Sequence, residues 1–127
     1  MTNSVEQLTN EPIILTTFFD HAEERNIVDT YLKSVDLALT IPGPVYRIID
    51  VQQAVSSYPV VVATIRDAVK LITNAAIHPE MAAAFVGTPE MAQWFAETNV
   101  VFFDSMDDAL AHARTQAPDG VDSQKAA

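Results

Sequence analysis

The sequence predicts a small α/β domain, a mostly parallel sheet of four or five strands flanked by about four helices. Three observations carry that reading. Runs of β-branched and aromatic residues alternate with segments whose apolar residues recur at helical spacing, strand then helix, four times over. The 127 residues, 49% apolar and 19% charged, suit one domain with one core. No linker divides the chain, and no repeat of fixed period underlies the alternation. The domain is expected over residues 5–116, with 1–4 and 117–127 as flexible tails.

The elements follow in order. Val5 to Leu8 can form a short edge strand within a polar N-terminal segment. Ile13 to Phe19 is β-branched and aromatic, the composition of a buried strand. Asp20, followed three residues later by Glu23, has the form of a capping box. The helix after it carries Ile27, Val28, Tyr31, Leu32, Val35 and Leu39 as an apolar stripe and ends at Pro42-Gly43-Pro44. Val45 to Ile49 reads as a strand closed by Asp50, and Val51 to Tyr58 as a connection.

From Pro59 two readings compete. Pro59-Val60-Val61-Val62 has strand propensity, whereas Val61, Ile65, Ala68, Val69, Ile72 and Ala76 recur at helical spacing. The helix is preferred, with Pro59 in its first turn and His78-Pro79 breaking it. Ala82 to Val86 is the next strand. Gly87 then turns the chain, Thr88 is placed to cap, and Met91, Trp94 and Phe95 give a short helix its apolar face. Val100 to Phe103 is a strand closed by Asp104. Ser105 with Asp108 is a second capping-box pattern, and Ala109, Leu110 and Ala113 continue the last helix. Alternation at this spacing implies parallel strands joined by right-handed crossovers.

Composition excludes several functions. With no cysteine, disulfides, thiolate nucleophiles and cysteine metal sites are out, and a reducing cytoplasm is the expected compartment. Seven basic residues against 17 acidic give a net charge of −10, which disfavours nucleic-acid phosphates and anionic lipid surfaces. Partners are expected to be neutral, basic or cationic. Met1 to Asn10 lacks the features of a secretory signal, and no apolar run reaches the ~18 residues that span a membrane. A homodimer is expected as the commonest assembly of such domains.

In doubly wound sheets, ligands bind beyond the carboxyl ends of strands. That rule makes Asp20, Asp50, Thr88 and Asp104 the candidate ligand rim. The three carboxylates could share a cation or a proton, but capping and strand-end roles explain each of them, so no metal or cofactor is expected. Val86-Gly87-Thr88-Pro89 matches neither a P-loop nor a dinucleotide fingerprint. His21, His78 and His112 are scattered, without a second ligand at metal spacing, and no serine sits in a nucleophile elbow. No catalytic set emerges. Tyr31, Tyr58 and Trp94 could border an apolar space between helix and sheet.

Several segments together resemble a known family. Val45-Tyr46-Arg47-Ile48-Ile49-Asp50 is similar to the central strand and closing Asp of STAS domains. Ala83-Ala84-Phe85-Val86-Gly87 is similar to a second characteristic strand, and Val101-Phe102-Phe103-Asp104-Ser105-Met106-Asp107-Asp108-Ala109-Leu110 to the last strand and helix. The likeness spans Val45 to Arg114 and is nearest the SpoIIAA-like, STAS/SEC14-type branch. It implies a helix after the central strand and a protein-binding regulatory role. It also implies a phosphoacceptor serine at the start of that helix. The nearest candidates are Ser57 and Ser56, but the Asp and Gly that flank the family's acceptor are missing here, so phosphoswitching is not expected. The SEC14 side implies an apolar ligand.

The leading expectation is a non-enzymatic interaction or regulatory module of STAS-like type. A small apolar-ligand or lipid-binding protein is the first alternative, and an enzyme using the strand-end carboxylates the second.

Overall fold

A computed structural model describes residues 3–20, 23–42, 45–73, 82–96 and 100–116. The expected tail at 117–127, together with His21, His78 and Pro79, lies outside them.

The chain is an α/β domain with a five-stranded, mostly parallel sheet. The elements run β1 (Ser4–Gln7), β2 (Ile13–Phe19), α1 (Glu24–Leu39), β3 (Tyr46–Gln53), α2 (Tyr58–Thr73), β4 (Ala82–Val86), a 3₁₀ turn (Pro89–Met91) continuing into α3 (Ala92–Phe95), β5 (Phe102–Phe103) and α4 (Met106–Gln116). Strand order in space equals strand order in sequence. β1 pairs antiparallel with β2, and the pairs β2–β3, β3–β4 and β4–β5 are parallel.

The antiparallel start is a hairpin. Leu8 donates to the Ile13 carbonyl at 2.9 Å, and Asn10 takes the left-handed conformation at φ 62°, which Asn tolerates better than most residues. After it, each strand adds to the same growing edge.

Strand alternation sorts the sheet into two faces. Phe18, Ile49, Val51 and Phe85 face one way, against Ile27, Tyr31 and Val35 of α1, Val61, Val62 and Ile65 of α2, and Phe95 of α3. Ile13, Tyr46, Ile48, Ala84 and Val86 face the other way, against Ala109 and Ala113 of α4. A third group, Ile14, Ala38 and Val45, closes the end of α1 onto the sheet. Fully burying each large aliphatic or aromatic side chain is worth about 1.5–3 kcal/mol.

Burial decides the segment with two readings. Val61, Val62 and Ile65 share one buried helical face, while Pro59 and Val60 stay exposed. The segment is helix α2, as periodicity and the family resemblance both imply. Elsewhere the structure departs from expectation. β3 runs on through Gln53, past the expected end at Ile49. Its pairing shifts by one residue between Thr17 opposite Asp50 and Phe19 opposite Gln53, so β3 bulges. Asp50 Oδ1 accepts the Gln52 N–H at 2.8 Å, satisfying an amide inside the irregular stretch. β5 is correspondingly shorter than expected.

The two capping patterns divide. Ser105 Oγ accepts the Asp108 N–H at 3.2 Å at the start of α4, as expected. Helix α1 instead begins at Glu24 with Glu23 at its N-cap and no side-chain capping bond. Thr88, expected to cap, is extended at the head of the 3₁₀ turn and likewise makes no capping bond. Among the described residues, no helix is long and apolar enough to cross a membrane.

Gly87 follows β4 with side chains packed close against its backbone. A Cβ there would lie 2.6 Å from Met91 Sδ and 2.9 Å from Phe102 Cε1. Both contacts are closer than carbon and sulfur tolerate, so Gly87→Ala is expected to lower stability by about 1–3 kcal/mol in urea unfolding. An unchanged midpoint would show that the Met91 and Phe102 side chains move aside freely.

Candidate functional site

The structure offers two places where function could reside, a polar tip and an apolar cleft.

The tip forms where β3 runs into α2. Ala54 donates to the Val51 carbonyl at 2.9 Å, and Tyr58 donates to the Ala54 carbonyl at 2.8 Å, making a tight turn before the helix. Asp20, at the end of β2, holds that turn from the side. Its Oδ1 accepts the Ser56 N–H at 2.8 Å and the Ser57 hydroxyl at 3.1 Å, while its Oδ2 accepts the Ser56 hydroxyl at 3.4 Å. The expected rim residue and the two candidate phosphoacceptors therefore meet in space, although 36 and 37 residues separate them. Val55 and Val60 stand exposed on either side, at 54% and 45%.

The other rim residues do not join them. Asp50 pairs in register with Thr17 and Val86, whereas the Asp20 N–H bonds the Gln53 carbonyl. Three residues of β3 thus separate Asp50 from the position opposite Asp20, roughly 10 Å along the strand. Asp104 follows β5, two strands from β3. Among the described residues, no group of three or more His, Asp or Glu is placed to hold a metal ion. Thr88 Oγ1 is buried without a hydrogen-bond partner. Strand order never reverses, so among the described residues the sheet has no topological switch point.

The cleft opens on the helical face of the sheet and encloses about 350 Å³. Two cross-strand pairs form its floor, Arg47 beside Ala83 and Ile49 beside Phe85. Tyr31 of α1 and Ile65 of α2 wall it. Ala83 explains the space, because a methyl group stands where a larger side chain would fill the floor. Of the aromatic residues expected to border such a space, Tyr31 does. Trp94 and Tyr58 instead pack on each other edge to face at 5.3 Å, and Tyr58 also stacks on Phe95.

Arg47 was not singled out from the sequence as a site residue. It is 8% exposed. Its Nη1 donates to the Tyr31 hydroxyl at 2.6 Å, and its guanidinium carbon lies 5.0 Å from the centre of that ring. Nε is buried with no partner. Among the described residues Arg114 pairs with Glu11 at the surface, and neither lines the cleft. Burying a guanidinium without an anion costs several kcal/mol, because its charge is taken out of water with nothing of opposite sign to replace the solvent. One signal was available in the sequence: Arg47 is the sole basic residue in any of the five strands.

No protein-family model, curated protein or solved structure matches the chain.

Two predictions follow from the carboxylates. Asp20→Ala removes acceptors from the tip, so the Ser56 amide is expected to exchange faster with solvent and stability to fall by about 1 kcal/mol. Unchanged exchange at Ser56 would mean the turn holds itself without Asp20. Burial raises the pKa of Asp50 above the ordinary Asp value, partly offset by the bond from Gln52. The folded chain then binds this proton more tightly than the unfolded chain. Stability is lost as pH rises from ~3.9 through the raised folded pKa, and the full penalty applies above that. Asp50→Asn keeps an oxygen for Gln52 and removes the charge. It is expected to resist urea better than the parent at pH 7, with the difference closing below about pH 4. A difference independent of pH would contradict this account.

Proposed function

We propose that the chain is a non-enzymatic interaction module of STAS-like type, whose partner-binding surface is the tip between β3 and α2. The observation that carries this reading is the Asp20 clamp. Three bonds from one carboxylate hold a short turn at the mouth of a helix, with Val55 and Val60 exposed beside it. An ordered turn loses little conformational entropy on binding, and exposed apolar side chains gain by being covered. The helix at Tyr58–Thr73 supports the reading too, since the resemblance requires one after the central strand.

The acidic character of the chain adds a constraint on the partner. It brings apolar groups to cover the valines and neutral or basic groups around them. A phosphate on Ser57 would stand against the carboxylate to which its hydroxyl now donates, so modification would break the clamp and reshape the tip. Binding of a small apolar ligand is a second reading, favoured by the cleft beneath α1 and α2.

A photoreactive amino acid placed at Val55, and at exposed Lys33 on α1 as a control, tests the tip in native extract. A discrete adduct of protein mass is expected at Val55 and not at Lys33, and its mass separates a second copy of this chain from a different protein. In the parent complex, Val55→Asp with Val60→Asp is expected to weaken binding by at least about tenfold. Equal adducts at both positions, or none at Val55, would overturn the assignment.

A further inference from the structure

Three buried polar side-chain atoms among the described residues lack a partner: Thr16 Oγ1, Thr88 Oγ1 and Arg47 Nε. A hydroxyl left alone is a modest cost. A guanidinium is different, because burial takes a full charge out of water and its planar fork is shaped to take a carboxylate by two parallel bonds. Arg47 also lines a cleft whose other walls are mainly apolar, Ile49, Ile65 and Phe85 among them. Arg66 of α2, exposed, stands on the same cleft. Two of the chain's seven basic residues thus meet here, in a protein whose net charge is −10. The Tyr31 hydroxyl accepts from Arg47 and keeps its own proton to donate.

We propose that this cleft binds an amphiphilic monocarboxylate, its carboxylate on Arg47 and Tyr31 and its apolar body along Ile49, Ile65 and Phe85. The proposal stands independently of the tip. Size limits the body. About 350 Å³ accommodates about a dozen heavy atoms if each takes the ~30 Å³ that a water occupies in liquid, the scale of a medium-chain or aryl acid and well short of a two-chain lipid. Charge sets the head group. One buried guanidinium with one exposed helper matches a single negative charge, and an acetate-sized anion would leave the apolar walls wet. The floor sets the position, because Ala83 leaves open the space beside Arg47 that a larger residue would occupy.

Isothermal titration calorimetry with decanoate and the full-length protein tests the proposal, with decanol and acetate as controls. Decanoate is expected to saturate the protein at one molecule per chain and to bind at least about tenfold more tightly than either control. Arg47→Met keeps the length of the side chain and removes its charge. It is expected to lose that preference for decanoate while unfolding at a higher denaturant concentration than the parent, since an unpaired buried charge has gone. Ala83→Leu leaves Arg47 in place and fills the floor, and it is expected to weaken decanoate by at least about tenfold. The parent protein alone decides the matter if either variant fails to fold. No saturable decanoate binding, or decanol binding as tightly as decanoate, overturns the proposal, as does undiminished affinity in a folded Arg47→Met variant.

Discussion

The burial of β3 on both faces governs the rest of this structure. Every residue from Val45 to Val51 is shielded from water. Such a strand must find apolar cover above and below. Tyr46 and Ile48 find it under α4, and Ile49 and Val51 under α1 and α2. The two flanking layers are unequal. Among the described residues, α1, α2 and α3 lie on one face and α4 on the other, because each β–α–β connection climbs to the next strand on the same side and α4 follows β5, the last strand in the sheet order. The roomier layer, where helices meet over a floor that includes alanine, is where the cleft opens.

The same strand links the two candidate sites. Arg47 points into the helical layer near its start. Three residues on, Asp50 holds the Gln52 amide through the bulge, and the strand then delivers Ala54 to Ser57 into the turn that Asp20 clamps. The bulge matters to this arrangement. It adds one residue to β3 relative to β2, which brings the Asp20 amide opposite Gln53 and its carboxylate within reach of Ser56. A regular ladder would set the turn one residue out of step with the group that holds it, and successive residues of a strand point to opposite faces.

What the sequence made legible was whatever depends on near neighbours. Runs of β-branched and aromatic residues marked the strands, apolar residues at helical spacing marked the helices, and that spacing favoured the helix over the strand at Pro59, where local β propensity pulled the other way. The Ser105 and Asp108 pattern formed a real cap because its partners lie three residues apart. The similar pattern at Asp20 and Glu23 did not, since Asp20 spends oxygens on serines 36 and 37 residues away, a competition that no local window contains. The extent of β3 was misjudged for a related reason: a side-chain bond from Asp50 keeps the irregular stretch paired, and bulges leave little trace in hydrophobic alternation. The cleft was harder still. It depends on Arg47 and Ala83 lying side by side in register, which is a property of strand order.

Arg47 could be held in a buried strand for a reason other than binding. Buried charges sometimes enforce one packing arrangement over its competitors, at a cost in stability. That role calls for a closed set of partners, because specificity comes from the geometry that satisfies the charge and from the penalty when another arrangement fails to do so. Here the set is open. Tyr31 takes one donor, Nε faces none, and no anion stands opposite among the described residues. An open set beside an apolar cleft makes the charge a standing cost in the empty protein and a source of affinity in the filled one, because an anion that pairs with it restores what burial took away. Stability of the folded chain then becomes linked to occupancy, rising with the logarithm of ligand concentration above the dissociation constant. The feature that most weakens this fold on its own is thus the feature best suited to make it respond to a small molecule.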